Sequence, residues 1–205
     1  MQEHLRGNMN SRTPIHITQG SAKMEQILSV NVSSLQNTFC QEMSKQKNTV
    51  CGKCYSNRYA KMRPTLEKKI IENGDILSKR RILPEEVPLF NARYVRFNSF
   101  GELINEIHYE NLMLIAELNP HTNFGLWTKR ASIVMQYPKV SNIKYIYSVL
   151  GLENAKVGKA VRDYFDKIFY VHKKGKAVFN CLGKCIDCLV CYTDNDIKDI
   201  HEKLK

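Results

Sequence analysis

Four cysteines fall within eleven residues near the end of this chain, spaced Cys181-x3-Cys185-x2-Cys188-x2-Cys191. A regular helix or strand would point four such thiols in different directions, whereas a loop wrapped around a polynuclear centre brings them to one place. The spacing is that of the ferredoxin run C-x2-C-x2-C-x3-C read backwards. The neighbours Gly183, Lys184 and Asp187 are not core-like, so buried apolar cysteines are the weaker reading. A second group, Cys40-x10-Cys51-x2-Cys54, lies near the other end. The N-terminal MQEHLRGNMNSRTPIHITQG carries no apolar stretch of the secretory kind, so the expected location is cytoplasmic. No run approaches the roughly 18 apolar residues of a membrane span. Seven thiols in a reducing compartment are expected to hold metal rather than to pair as disulfides.

The sequence leaves two metals open. Three plus four cysteines suit one or two [4Fe-4S] clusters, with an open iron at the three-cysteine centre if there are two. Zinc is the alternative, since Cys51-x2-Cys54 and Cys185-x2-Cys188 have zinc-ribbon half-site spacing. That leaves Cys40, Cys181 and Cys191 unused.

Around these groups the chain reads as one α/β domain over residues 1–205, with a polar arm at 1–23 and a Cys-rich segment at 177–205 that includes a short charged helix. Met24–Val32 reads as a strand or hairpin, and 33–54 as a loop carrying the first three cysteines. Tyr55–Arg81 is helical, with Pro64 either kinking it or starting a second helix. Strands are then expected at Arg93–Phe97, Thr122–Thr128, Ile143–Leu150 and Lys167–His172. Helices are expected at Asn105–Leu118, Ala131–Gln136 and Lys156–Tyr164. This alternation predicts a partial (β/α) barrel or an open parallel sheet of about five strands, with Cys-rich loops near both ends of the chain. The chain is too short for the roughly 250 residues of a full eight-fold barrel.

In such sheets ligands bind at the carboxyl ends of strands. The strand at 93–97 runs into Asn98-Ser99-Phe100-Gly101-Glu102, where a glycine permits close backbone approach and a carboxylate can hold a cation. A turn with Ser99 as helix cap is the plainer reading. Trp127-Thr128-Lys129-Arg130 ends the next strand on the same rim as Glu102, where Lys129 or Arg130 either binds a carboxylate or phosphate or flanks a helix N-terminus in solvent.

A thiol loop after the first strand and Gly-Glu after the second resemble radical S-adenosylmethionine enzymes. The resemblance implies that Cys40, Cys51 and Cys54 hold a [4Fe-4S] cluster with an open iron, and that Gly101 and Glu102 lie near the amino group of bound S-adenosylmethionine. It also implies an electron donor for reductive cleavage. The second glycine and the proline of that motif are absent here, with Leu103 in the proline's place. A more extended resemblance is to the phage gene-product-eighty-eight family of uncharacterised proteins. It is carried by GSAKM at 20–24, TFC…VCGKCYSNRYAK at 38–61, RFNSFGEL at 96–103, NPHTNFGLWTKR at 119–130 and CLGKCIDCLVCYT at 181–193. It implies a metal-binding phage or mobile-element protein in the host cytoplasm, and no established reaction.

Charge adds a partner class. The chain holds 31 Lys and Arg against 20 Asp and Glu, for a net +11. Nine of the basic residues and only three acids lie between Lys53 and Arg81, and Lys173, Lys174 and Lys176 cluster near the second cysteine group. Either these are solvated faces or they meet nucleic acid or an anionic substrate. The six histidines form no metal spacing among themselves. Three hypotheses follow: a radical enzyme, a non-enzymatic iron–sulfur protein, and a zinc-stapled nucleic-acid-binding module.

Overall fold

The computed structural model describes residues 13–152, 155–173 and 178–204. Among these residues seven strands form one sheet in the order β1 to β7: Ile17–Gln19, Leu28–Val30, Tyr94–Phe97, Asn123–Thr128, Ile143–Ser148, Lys167–His172 and Asp199–Lys203. The first pair is antiparallel; β2 through β7 are parallel, each strand beside its predecessor. β1 does not pair with β7, so the sheet is not closed into a barrel.

Among the described residues seven α-helices accompany the sheet: α1 (Thr38–Ser44), α2 (Tyr55–Met62), α3 (Pro64–Lys79), α4 (Glu106–Glu117), α5 (Ala131–Val134), α6 (Lys159–Tyr164) and α7 (Cys185–Cys188). Pro64 occupies the first turn of α3, where its missing N–H costs nothing, so it starts a second helix instead of kinking one. Asn105 caps α4 by accepting from the His108 N–H at 2.9 Å.

Strand alternation divides the sheet into two faces. On one, Val95, Phe97, Phe124, Leu126, Tyr145 and Ile168 pack against Leu77 of α3, Leu112 and Ile115 of α4, and Ile133 and Val134 of α5. Phe97 and Phe124 stack 4.6 Å apart across neighbouring strands. On the other face, Tyr94, Trp127, Ile146 and Phe169 are covered by Tyr192, with Cys185, Ile186, Leu189 and Cys191 beside it. The last connection, from β6 to β7, therefore runs over the face opposite to the one used by α3, α4 and α5. With strand order advancing one way throughout, that makes it opposite in hand to the connections before it, and one hand predominates strongly in such crossovers.

The sheet has two more strands than the sequence suggests, and each has a physical reason. β1 lies in the expected polar arm. Ile15 there is buried, and His16 N donates to Asn73 Oδ1, which holds this segment beside β2. Residues 1–12 of the arm lie outside the described residues. β7, Asp-Ile-His-Glu-Lys, lies where a charged helix is expected. It is an edge strand that buries little beyond Ile200, and charge is how exposed edges avoid pairing further. Nor are all of the cysteines on plain loops, although Cys54, Cys181 and Cys191 lie outside helices and strands. Cys40 lies on α1, Cys51 on a 3-10 turn at Cys51–Lys53, and Cys185 and Cys188 at the two ends of one helical turn.

Candidate metal centres

The first thiol group lies over the carboxyl rim of the sheet. The connection after β2 crosses the rim as far as β5, where Val50 N donates to Leu150 O at 2.9 Å. Tyr55, directly after Cys54, donates its hydroxyl to the Ser99 carbonyl beyond β3. Cys40, Cys51 and Cys54 are half-buried there. Burial pushes the Cys40 thiol far above its ordinary value, and Glu102 and the other two thiols push it further, while Lys129 opposes them. Cys51 is raised by burial as well, with Lys129 again opposing. The three thiols, Lys129 and Glu102 thus share one electrostatic neighbourhood.

Gly101 and Glu102 are on this rim, in structural roles that the sequence does not specify. Gly101 has a φ of +77°, and a Cβ there would come within 2.3 Å of the Val32 carbonyl oxygen. Glycine is required. Glu102 is 3% exposed. Its Oε1 accepts from Thr128 Oγ1 at 2.6 Å and Leu103 N at 2.9 Å, and its Oε2 from Lys129 N at 2.8 Å. Its backbone carbonyl accepts from Asn37 Nδ2 at 2.8 Å. The carboxylate binds the end of β4 to the end of β3, and so fixes Lys129. Burial alone would lower the Lys129 ammonium, but Glu102 and the three thiols outweigh it and hold it above the ordinary lysine value. Among the described residues that ammonium has no hydrogen-bond partner. Arg130 is occupied with the Leu103 and Ile104 carbonyls, at 3.2 and 2.5 Å.

The second group lies on the face covered by the last connection. Cys181, Cys185, Cys188 and Cys191 all line one small cavity, together with Lys23 and Tyr192. Leu189 takes a left-handed conformation (φ 51°) where α7 ends and the chain turns toward Cys191. Burial raises Cys181, Cys185 and Cys191, the last to about 12, and the neighbouring thiols of the group add to each.

Two cations oppose this. Lys23 donates to Cys181 Sγ and to the Cys181 carbonyl, each at 2.9 Å. Arg96 on β3 lowers Cys185 and Cys191 and lies 3.8 Å from the centre of the Trp127 ring. Among the described residues Arg96 forms no ion pair, and its Nε is buried without a partner. Neither Lys23 nor Arg96 stands out in the sequence. Each becomes visible only once the last connection is known to fold back over the sheet.

The cysteines therefore sort by group. Cys51 and Cys54 lie with Cys40, and Cys185 and Cys188 lie with Cys181 and Cys191. The two zinc-ribbon half-sites are not brought together. Among the described residues no three His, Cys, Asp or Glu side chains converge on a single ion. Lys173 is at the end of β6, while Lys174 and Lys176 lie outside the described residues. Among the described residues no helix is long and apolar enough to cross a membrane.

Fold and site together define a singly wound, open α/β sheet with one thiol group on its carboxyl rim and another on its covered face. Compared with protein-family models, curated proteins and solved structures, the chain matches none.

Proposed function

We propose that this chain is an iron–sulfur protein with two centres, held by Cys40, Cys51 and Cys54 and by Cys181, Cys185, Cys188 and Cys191. The observation that carries this reading is that all four cysteines of the second group line one small cavity. A zinc site needs its donors to meet about 2.3 Å from one point. Among the described residues no three donors converge in that way, whereas a polynuclear centre takes thiolates bound to different metal atoms. A cluster held by four thiolates is anionic, which would provide the counter-charge that Arg96 lacks. The second centre would also fasten the oppositely handed last connection onto the sheet.

A more specific reading is that the first centre keeps an open iron and binds S-adenosylmethionine. It is favoured by three thiols gathered on the first connection of a sequential parallel sheet, in the manner of a partial (β/α) barrel, and by a lysine ammonium left without a protein partner beside them. When bound, a [4Fe-4S] cluster of this kind would supply an electron to its ligand. On this reading Glu102 positions Lys129 and does not itself hold the cofactor.

The test is iron and sulfide content after anaerobic reconstitution. Cys51→Ser with Cys54→Ser should remove one cluster and leave the other, and Cys185→Ser with Cys191→Ser should do the converse. Full iron content in either double variant would overturn the two-centre assignment. Binding of S-adenosylmethionine by equilibrium dialysis should disappear in Cys54→Ala; retained binding would reject the open-iron reading.

A further inference from the structure

Between Lys53 and Lys69 six cations lie exposed: Lys53, Arg58, Lys61, Arg63, Lys68 and Lys69. None forms an ion pair among the described residues. Elsewhere pairing is common, as in Lys79–Asp75, Arg80–Glu86, Arg81–Glu110 and Lys139–Asp166. The one acid within the stretch, Glu67, is buried and accepts from the Ser33 hydroxyl. The cations of α2 and the start of α3 therefore face solvent unneutralised.

Aromatic rings lie among them. Tyr55, Tyr59 and Phe100 form a triangle with centroids 5.9 to 6.3 Å apart. Arg58 and Arg63 approach the Tyr59 ring at 5.7 and 5.2 Å. Tyr55 is 46% exposed although its hydroxyl is tied to the Ser99 carbonyl, so its ring is held rigidly at the surface. Met62, at the far end of α2, is 68% exposed.

We propose that this face of α2, with Phe100, binds single-stranded nucleic acid at the rim of the first thiol group. Unpaired cations match a phosphate backbone, and the exposed Tyr55 ring with the partly exposed Tyr59 and Phe100 rings matches unstacked bases, which a duplex does not offer. An anionic membrane or an acidic protein would use the charge and have no need of the rings. Because Tyr55 directly follows Cys54, a bound strand would lie beside the first centre. The proposal does not depend on which metal the cysteines hold.

The test is fluorescence anisotropy of the metal-loaded protein with labelled single strands of about ten nucleotides, DNA and RNA in separate arms. Polyphosphate, duplex DNA and phosphatidylserine vesicles serve as competitors. Tyr59→Ala is expected to weaken binding about tenfold and Tyr59→Phe to leave it within about twofold. Arg58→Gln with Arg63→Gln should lower the slope of log affinity against log salt by about 1.4. Lys79→Gln, away from the face, should not change it. Circular dichroism establishes that each variant is folded. Binding of either single strand with these dependences supports the proposal. Equal competition by polyphosphate, preference for duplex or vesicles, or a folded Tyr59→Ala that binds as well as the parent would overturn it.

Discussion

Lys23, in the turn between β1 and β2, pairs with Glu202 on β7 at 2.9 Å. β2 and β7 are five places apart in the sheet, which at about 4.8 Å per strand would be about 24 Å if it were flat. The turn and a lysine side chain cover part of that distance, and curvature of the sheet covers the rest. The same ammonium holds Cys181 Sγ, so one residue ties the β1–β2 turn, the last strand and the second thiol group together.

Removing that link should therefore loosen the second centre. Burial on its own would lower Lys23, but the Cys181 and Glu202 hydrogen bonds outweigh it and hold the ammonium charged. Lys23→Met is expected to speed chelator-driven metal release from the second centre by about tenfold or more, the usual effect of losing a partner to a ligand. Release from the first centre should be unchanged.

The single tryptophan reports on the last connection. Trp127 is 7% exposed, beneath Tyr192 at 5.7 Å and Arg96 at 3.8 Å. If metal holds the connection down, chelation should shift Trp127 emission to the red. Cys185→Ser with Cys191→Ser should reproduce the shift, and Cys51→Ser with Cys54→Ser should not. An unshifted emission would mean that apolar packing alone seats the segment.

Glu102 offers a stability test at the first centre. Glu102→Ala leaves the Thr128 hydroxyl and the Leu103 and Lys129 N–H groups without their acceptor, a loss of about 3 kcal/mol or more for buried donors. Urea unfolding measures it. A loss below about 1 kcal/mol would mean that the carboxylate does not hold the rim together.

Much of this was legible in the sequence, and for identifiable reasons. β3 to β6 and α3 to α6 announce themselves because their apolar residues repeat at strand or helix period around one core. β1 and β7 do not, since each is a short edge strand with few buried side chains. The cysteine spacing marks both thiol groups, and Lys129 is foreseeable from its place at a strand end. Lys23, Arg96 and Tyr192 are not, because they meet the thiols only through the return of the last connection over the covered face. The sequence singles out Gly101 and Glu102 as cofactor-binding residues, whereas their contacts in the fold are with the protein's own rim.

A buried histidine predicts the acid response. Ile104 N donates to His108 Nδ1 at 3.2 Å, so the ring is neutral with its proton on Nε2. Burial first and Arg130 second hold His108 down at about 3, against 6.5 ordinarily. Because the folded value is depressed, the stabilisation is complete above pH 6.5 and is lost as pH falls towards 3, at about 1.4 kcal/mol per pH unit. Between pH 7 and pH 5 the parent should lose about 2 kcal/mol more than His108→Gln in urea unfolding. Parallel losses in the two proteins would show that His108 does not govern this range.

The most direct measurement is the visible spectrum of anaerobically purified protein, with iron, sulfide and zinc quantified on the same sample. A brown protein with iron and sulfide in equal amounts, enough for two clusters per chain, is expected. A colourless protein carrying zinc, with neither iron nor sulfide, would contradict the iron–sulfur assignment.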